Sequence, residues 1–160
     1  MTKDEFFGRL TRHFSSKGFS CNRKHYYKTA SDDVILVFGL NRSSYGKYYY
    51  LEYGYCFPSI SKYLPHPKFN QLNLNCGRVM TDKGKAIAYE DWNENDMDSL
   101  EGKLDSILDE MTHLVSLGRE AMIQHYLSGT DHLSWYILGD ETAAYFNLPR
   151  EAFQYHYCKE

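Results

Sequence analysis

From Lys47 to Phe57 the side chains alternate without interruption. Tyr49, Leu51, Tyr53, Tyr55 and Phe57 fall on one face, and Tyr48, Tyr50, Glu52, Gly54 and Cys56 on the other. A period of two sustained over that length is the mark of a strand with two different faces, and a helix cannot satisfy it. Upstream, Val34-Ile35-Leu36-Val37-Phe38 is a β-branched run of strand length, and Asn41-Arg42-Ser43-Ser44-Tyr45-Gly46 puts turn formers between the two. So short a connection requires antiparallel pairing. Tyr26-Tyr27 gives a further short strand, joined to the next through the polar turn Asp32-Asp33, and a fourth is expected over Leu72 to Met80. Pro58, Pro65 and Pro67 make the stretch 58–70 a loop, because proline cannot donate to a ladder.

Helical spacing is confined to the two ends of the chain. Thr2 with Glu5 is a capping-box pair, and Phe6, Phe7, Leu10 and Phe14 recur on one face before Gly18, which predicts a helix from Thr2 to Ser16. Asp98 with Glu101 resembles a second helix start. Leu100, Leu104, Ile107, Leu108, Met111, Leu114 and Met122 then keep a 3.6 period, predicting one long helix over Ser99 to Ser128. Beyond Gly129, Asp140 and Pro149 suit the starts of short helices. Helices that do not alternate with strands indicate an α+β domain. The expected architecture is a four-stranded antiparallel meander with the N-terminal helix and the long helix packed on one face, and extra short helices at the C-terminus. One domain spans 1–160, with a core over 1–129 and a helical extension over 130–160. The other sheet face is expected to be wet and to display surplus tyrosine.

Gly18-Phe19, Arg23-Lys24-His25-Tyr26-Tyr27-Lys28, Asp33-Val34-Ile35, the Asn41–Gly46 turn, Tyr48-Tyr49-Tyr50-Leu51 and Gly54 together resemble a bacterial family known as domain of unknown function 4304. The resemblance is carried mainly by residues 18–57. It implies the fold and a bacterial or phage-like origin, and it implies no activity. Relative to that family, Glu52 stands where Asn is common and Tyr45 stands where Trp usually precedes the glycine.

The 160 residues include fifteen Tyr and nine Phe, more than a core of this size needs. Tyrosine joins a flat apolar ring to a hydrogen-bonding tip and is favoured at interfaces. The net charge of −3 gives no general pull toward phosphate backbones. No run of about 18 apolar residues and no signal-peptide core occurs, so no membrane association and a cytoplasmic location are expected. Cys21, Cys56, Cys76 and Cys158 form no C-x-x-C pair, and the seven histidines include no i, i+4 pair of metal-ligand type. Neither a G-x-S-x-G elbow nor a phosphate-binding glycine loop is present. No catalytic residue, cofactor or metal is therefore assigned, and the balance leans away from an enzyme.

The expected role is a non-enzymatic protein-binding domain. A bacterial immunity or inhibitor protein that masks a toxin or effector is one form of it. Partner-contact candidates are Arg42, Tyr45, Tyr48, Tyr50 and Glu52 on the sheet, with Glu90, Asp91, Trp92 and Glu94 in an acidic loop around a tryptophan. Interleaved Tyr and Arg also suit a platform for single-stranded nucleic acid, the alternative reading. An uncharacterised hydrolase is a third. A homodimer through the C-terminal aromatic helices is a further possibility for partners.

Overall fold

The computed structural model describes residues 1–128 and 140–148. Helix α1 is Lys3–Ser16, and its cap has the expected chemistry: the Thr2 side chain accepts from the Glu5 N–H while the Glu5 carboxylate accepts from the Thr2 N–H at 2.7 Å. Phe6, Leu10 and Phe14 are its buried stripe. Each contributes roughly 1.5–3 kcal/mol by leaving water. Phe14 lies parallel to Tyr26 with ring centroids 4.2 Å apart, which seats the helix on the sheet.

Five strands follow: β1 (Ser20–Asn22), β2 (His25–Ser31), β3 (Val34–Arg42), β4 (Tyr49–Cys56) and β5 (Leu74–Arg78). They form one antiparallel sheet in chain order. The expected count of four is corrected to five by β1. That strand is three residues long and mostly exposed, so it has no apolar alternation to reveal it. Its hairpin to β2 turns through Arg23 and Lys24, both at positive φ. Two-residue hairpins need that geometry, and it is usually announced by Asn-Gly. Lys24 is held there because its ammonium sits 4.3 Å from the Phe7 ring centroid and 4.9 Å from that of Tyr49.

The second long element is two helices. Helix α2 is Glu94–Leu117 and α3 is Arg119–Ser128, separated by Gly118 at φ 95. The predicted single helix Ser99–Ser128 is thus corrected at its start, which is Glu94, and by a break at Gly118, while its end at Ser128 holds. Apolar residues continue past the break, so periodicity alone could not locate it, whereas a glycine in the left-handed region ends a helix. The true start is capped by Asn93, whose side chain accepts from the Asp96 N–H, and buried Trp92 and Met97 occupy the staple positions on either side. A short α4, Asp140–Tyr145, completes the described residues. The remainder of the predicted extension 130–160, with most of its aromatic side chains, lies outside them.

Helices α1 and α2 cover the first sheet face, where Tyr26, Leu36, Phe38, Leu51, Tyr55, Phe57 and Leu74 meet Leu100, Leu104 and Met111. As the alternation predicts, Tyr49, Leu51, Tyr55 and Phe57 are buried there, and half-buried Tyr53 packs against them. Arg9 of α1 binds Glu94, Asp98 and Glu101 of α2, tying the two helices together. No helix of the described residues is long and apolar enough to cross a membrane.

Candidate functional site

The second sheet face is divided into a covered half and an uncovered half. After β4 the chain folds back, and Leu72 with Phe69 covers Tyr27, Val37 and Cys56 in a small separate core. The Tyr27 hydroxyl donates to the Pro67 carbonyl at 3.0 Å and fixes the loop. Gly54 makes this possible: a Cβ there would lie 2.2 Å from the Leu74 carbonyl oxygen and 3.0 Å from Leu72 Cδ1.

Beyond that loop, register places His25, Gly39, Glu52 and Arg78 in one row across β2 to β5, with Asn41 and Tyr50 paired in the next. The row is polar, and its members hold one another. Glu52, only 5% exposed, accepts from Arg78 Nε at 2.8 Å and from Asn41 Nδ2. The Arg78 guanidinium also lies 3.8 Å from the Tyr50 ring centroid. A buried carboxylate survives in such a place only with this pairing. The His25 ring lies against Gly39, where a Cβ would come within 2.6 Å of His25 Cδ2. His25 Nδ1 is 3.3 Å from the Arg23 carbonyl, which can only accept, so this contact is a hydrogen bond when Nδ1 carries a proton. Its Nε2 is buried with no hydrogen-bond partner among the described residues.

At the end of this half, Tyr48 and Tyr50 meet edge to face with centroids 5.5 Å apart. A hydrogen bond with Ser43, and then one with Tyr50, holds the Tyr48 hydroxyl below the ordinary phenol range, while the bond to Tyr48 pushes Tyr50 above it. Tyr45, on the β3–β4 connection, is 93% exposed, and its N–H bonds to Ser43 Oγ.

Of the sequence candidates, Tyr48, Tyr50 and Glu52 come together here, with Tyr45 at the adjoining tip. Arg42 does not join them: it pairs with Tyr49 on β4, one residue out of phase with Asn41, and so belongs to the side of the sheet that carries the helices. The acidic loop is elsewhere. Trp92 is 4% exposed and packs edge-on against Phe6 at 5.8 Å, so it is core and offers no surface to a partner, while Glu90, Asp91 and Glu94 are exposed. Sequence reasoning missed Gly39, Asn41 and Arg78 as site residues. Extending the alternation of β3 past Phe38 would have put Gly39 and Asn41 opposite Glu52 and Tyr50. The weak pattern of β5 concealed Arg78.

Cavities among the described residues open on the helical side. One, about 780 Å³, is open and is lined by Asp4, Glu5, Arg9, Arg12, His13 and Glu101. Arg9 there is engaged by three carboxylates, and His13 is 3.1 Å from Asp105. Another, about 220 Å³, is lined by Asp33, Phe57, Arg119, Met122, Tyr145 and Phe146. Burial raises Asp33, but hydrogen bonds from Ser59 and Tyr145 outweigh it and keep the carboxyl below its usual range. Among the described residues no group of three or more His, Cys, Asp or Glu converges as metal ligands.

A family model described as domain of unknown function DUF4304 matches residues 10–117. The chain belongs to the DUF4304 family. The match runs from within α1 to Leu117, the last residue of α2, so the whole sheet and both halves of its second face lie inside the DUF4304 unit. It extends well beyond residues 18–57, and α3 and α4 follow it. No curated protein and no solved structure matches the chain.

Proposed function

We propose that this DUF4304 protein is a non-enzymatic protein-binding domain, of the immunity or inhibitor kind, that docks its partner on the uncovered half of the second sheet face. The observation that carries the reading is the division of that face. The chain's own loop covers one half with an apolar seal, while the other half is a self-paired polar row edged by Tyr48, Tyr50 and the projecting Tyr45. Rings held by neighbours lose little freedom on binding, which favours them as anchors. A masking role requires no chemistry of its own, only a rigid face.

The test is site-specific photocrosslinking in the full chain co-expressed with the product of the adjacent gene. Crosslinks from position 45 or 48, and none from position 63 on the covering loop, are expected. Absence of crosslinks from 45 and 48, or equal yield from 63, overturns the proposal.

A further inference from the structure

The net charge of −3 conceals a strong segregation. Residues 17–81, which contain all five strands, carry nine Lys and Arg against three Asp and Glu, a surplus of six. Residues 82–128, which contain α2 and α3, carry four against eleven, a deficit of seven. These segments supply the sheet and the α2–α3 side of the described residues; α1, which lies beside α2, adds Lys3, Arg9 and Arg12 against Asp4 and Glu5, so the helical side stays acidic while the sheet is basic. A helix is about 10 Å across, and the Debye length is about 8 Å at physiological salt. A partner approaching the uncovered sheet half therefore feels the basic layer with the acidic one largely screened.

The uncovered half has the same sign at short range. Among the described residues Glu52 is the only carboxylate on any strand, and it is buried and paired with Arg78. At the same end of the sheet lie exposed Lys47 on the β3–β4 connection and exposed Arg23 on the β1–β2 turn, so the charge left over once Arg78 is paired is positive. Resting on the docking surface proposed above, we infer that the partner is a protein presenting an acidic segment, with carboxylates set among apolar or aromatic side chains. The ring geometry favours protein over nucleic acid. Stacked bases need open, roughly parallel faces, whereas Tyr48 and Tyr50 stand at 88° and the Tyr50 ring faces the Arg78 guanidinium. Edge-on phenols beside cations suit carboxylates and apolar side chains instead.

The experiment is an amide-resolved NMR titration of the full chain with four probes: a Glu-Tyr copolymer, polyglutamate, oligothymidylate and polylysine. The copolymer is expected to shift Lys47, Tyr48, Tyr50 and Arg78, and the double variant R23E/K47E to weaken it ~10-fold or more with loss of salt dependence. R42E, on the other side of the sheet, should leave it within about 2-fold. Tighter binding of oligothymidylate at these residues assigns a nucleic acid and overturns the inference, as does a polylysine shift at these same residues, as distinct from the acidic α2 and α3, or silence toward all four probes. In those cases crosslinking from position 45 to the neighbouring gene product still decides the docking surface itself, so the two failures are separable.

Discussion

Gly39 and Gly54 serve one purpose on opposite halves of the same face, yet they differ in what surrounds them. At Gly39 the obstacle to a Cβ is the His25 ring, and at Gly54 it is the Leu74 backbone carbonyl. A ring can be removed genetically and a carbonyl cannot. Gly39→Ala should cost about 1–3 kcal/mol in urea unfolding, with most of the loss recovered in the H25A/G39A double variant, while Gly54→Ala should cost more. Additivity of the H25A and G39A effects would show that the ring is not the obstacle. The pair Glu52 and Arg78 is similarly asymmetric. Arg78→Met keeps the aliphatic cover but leaves a buried carboxylate with Asn41 alone, and it should cost roughly 2–4 kcal/mol at neutral pH, more than Glu52→Gln at about 1 kcal/mol.

Among the elements, α1 and β4 are written plainly in the sequence, because capping chemistry and strict alternation are local rules that the fold obeys. β1 and the α2–α3 break are not. The first depends on a turn through Arg23-Lys24 that no short-range preference favours and that Phe7 and Tyr49 hold from a distance. The second depends on one glycine inside an otherwise continuous apolar pattern. The candidate site was half legible: the tyrosines and Glu52 follow from β4 alone, but their partners come from β2, β3 and β5 and become visible only once register is known. Helix α3 is joined to the sheet by a buried contact of the same non-local kind, Tyr126 hydroxyl to Tyr55 hydroxyl at 2.8 Å. Tyr126→Phe removes this bond without changing shape and should cost about 1–3 kcal/mol, because the Tyr55 hydroxyl stays buried. A loss below a few tenths in urea unfolding would mean that another group takes the partner's place.

For the molecule as a whole, the ionisable groups limit stability at both ends of the pH scale. Hydrogen bonds from Lys103 to Asp82, from Lys83 to Asp96 and from the Thr2 backbone to Glu5 hold these carboxyls below their ordinary values. Their contribution is complete above about pH 4 and is lost as pH falls through the folded values. Burial pushes Tyr26 and Tyr27 up to about 12. Their contribution is complete below about pH 10 and disappears as pH rises toward 12. Melting temperature should therefore fall below pH 4 and again above pH 10, the second limb coinciding with cooperative growth of phenolate absorbance. A melting temperature that stayed flat on either side would contradict the assigned partners.

The ties from Arg9 to Glu94, Asp98 and Glu101 also bear on how the chain comes to be made. Strands in strict chain order can each pair as they emerge from synthesis, but α1, produced first, acquires its partner only after more than half the chain has followed. The domain is shut by a clasp whose two halves lie about ninety residues apart. A chain stopped before Glu94 would therefore carry a finished ribbon of strands beneath a helix with one flank bare, and the fold becomes committed only when α2 arrives.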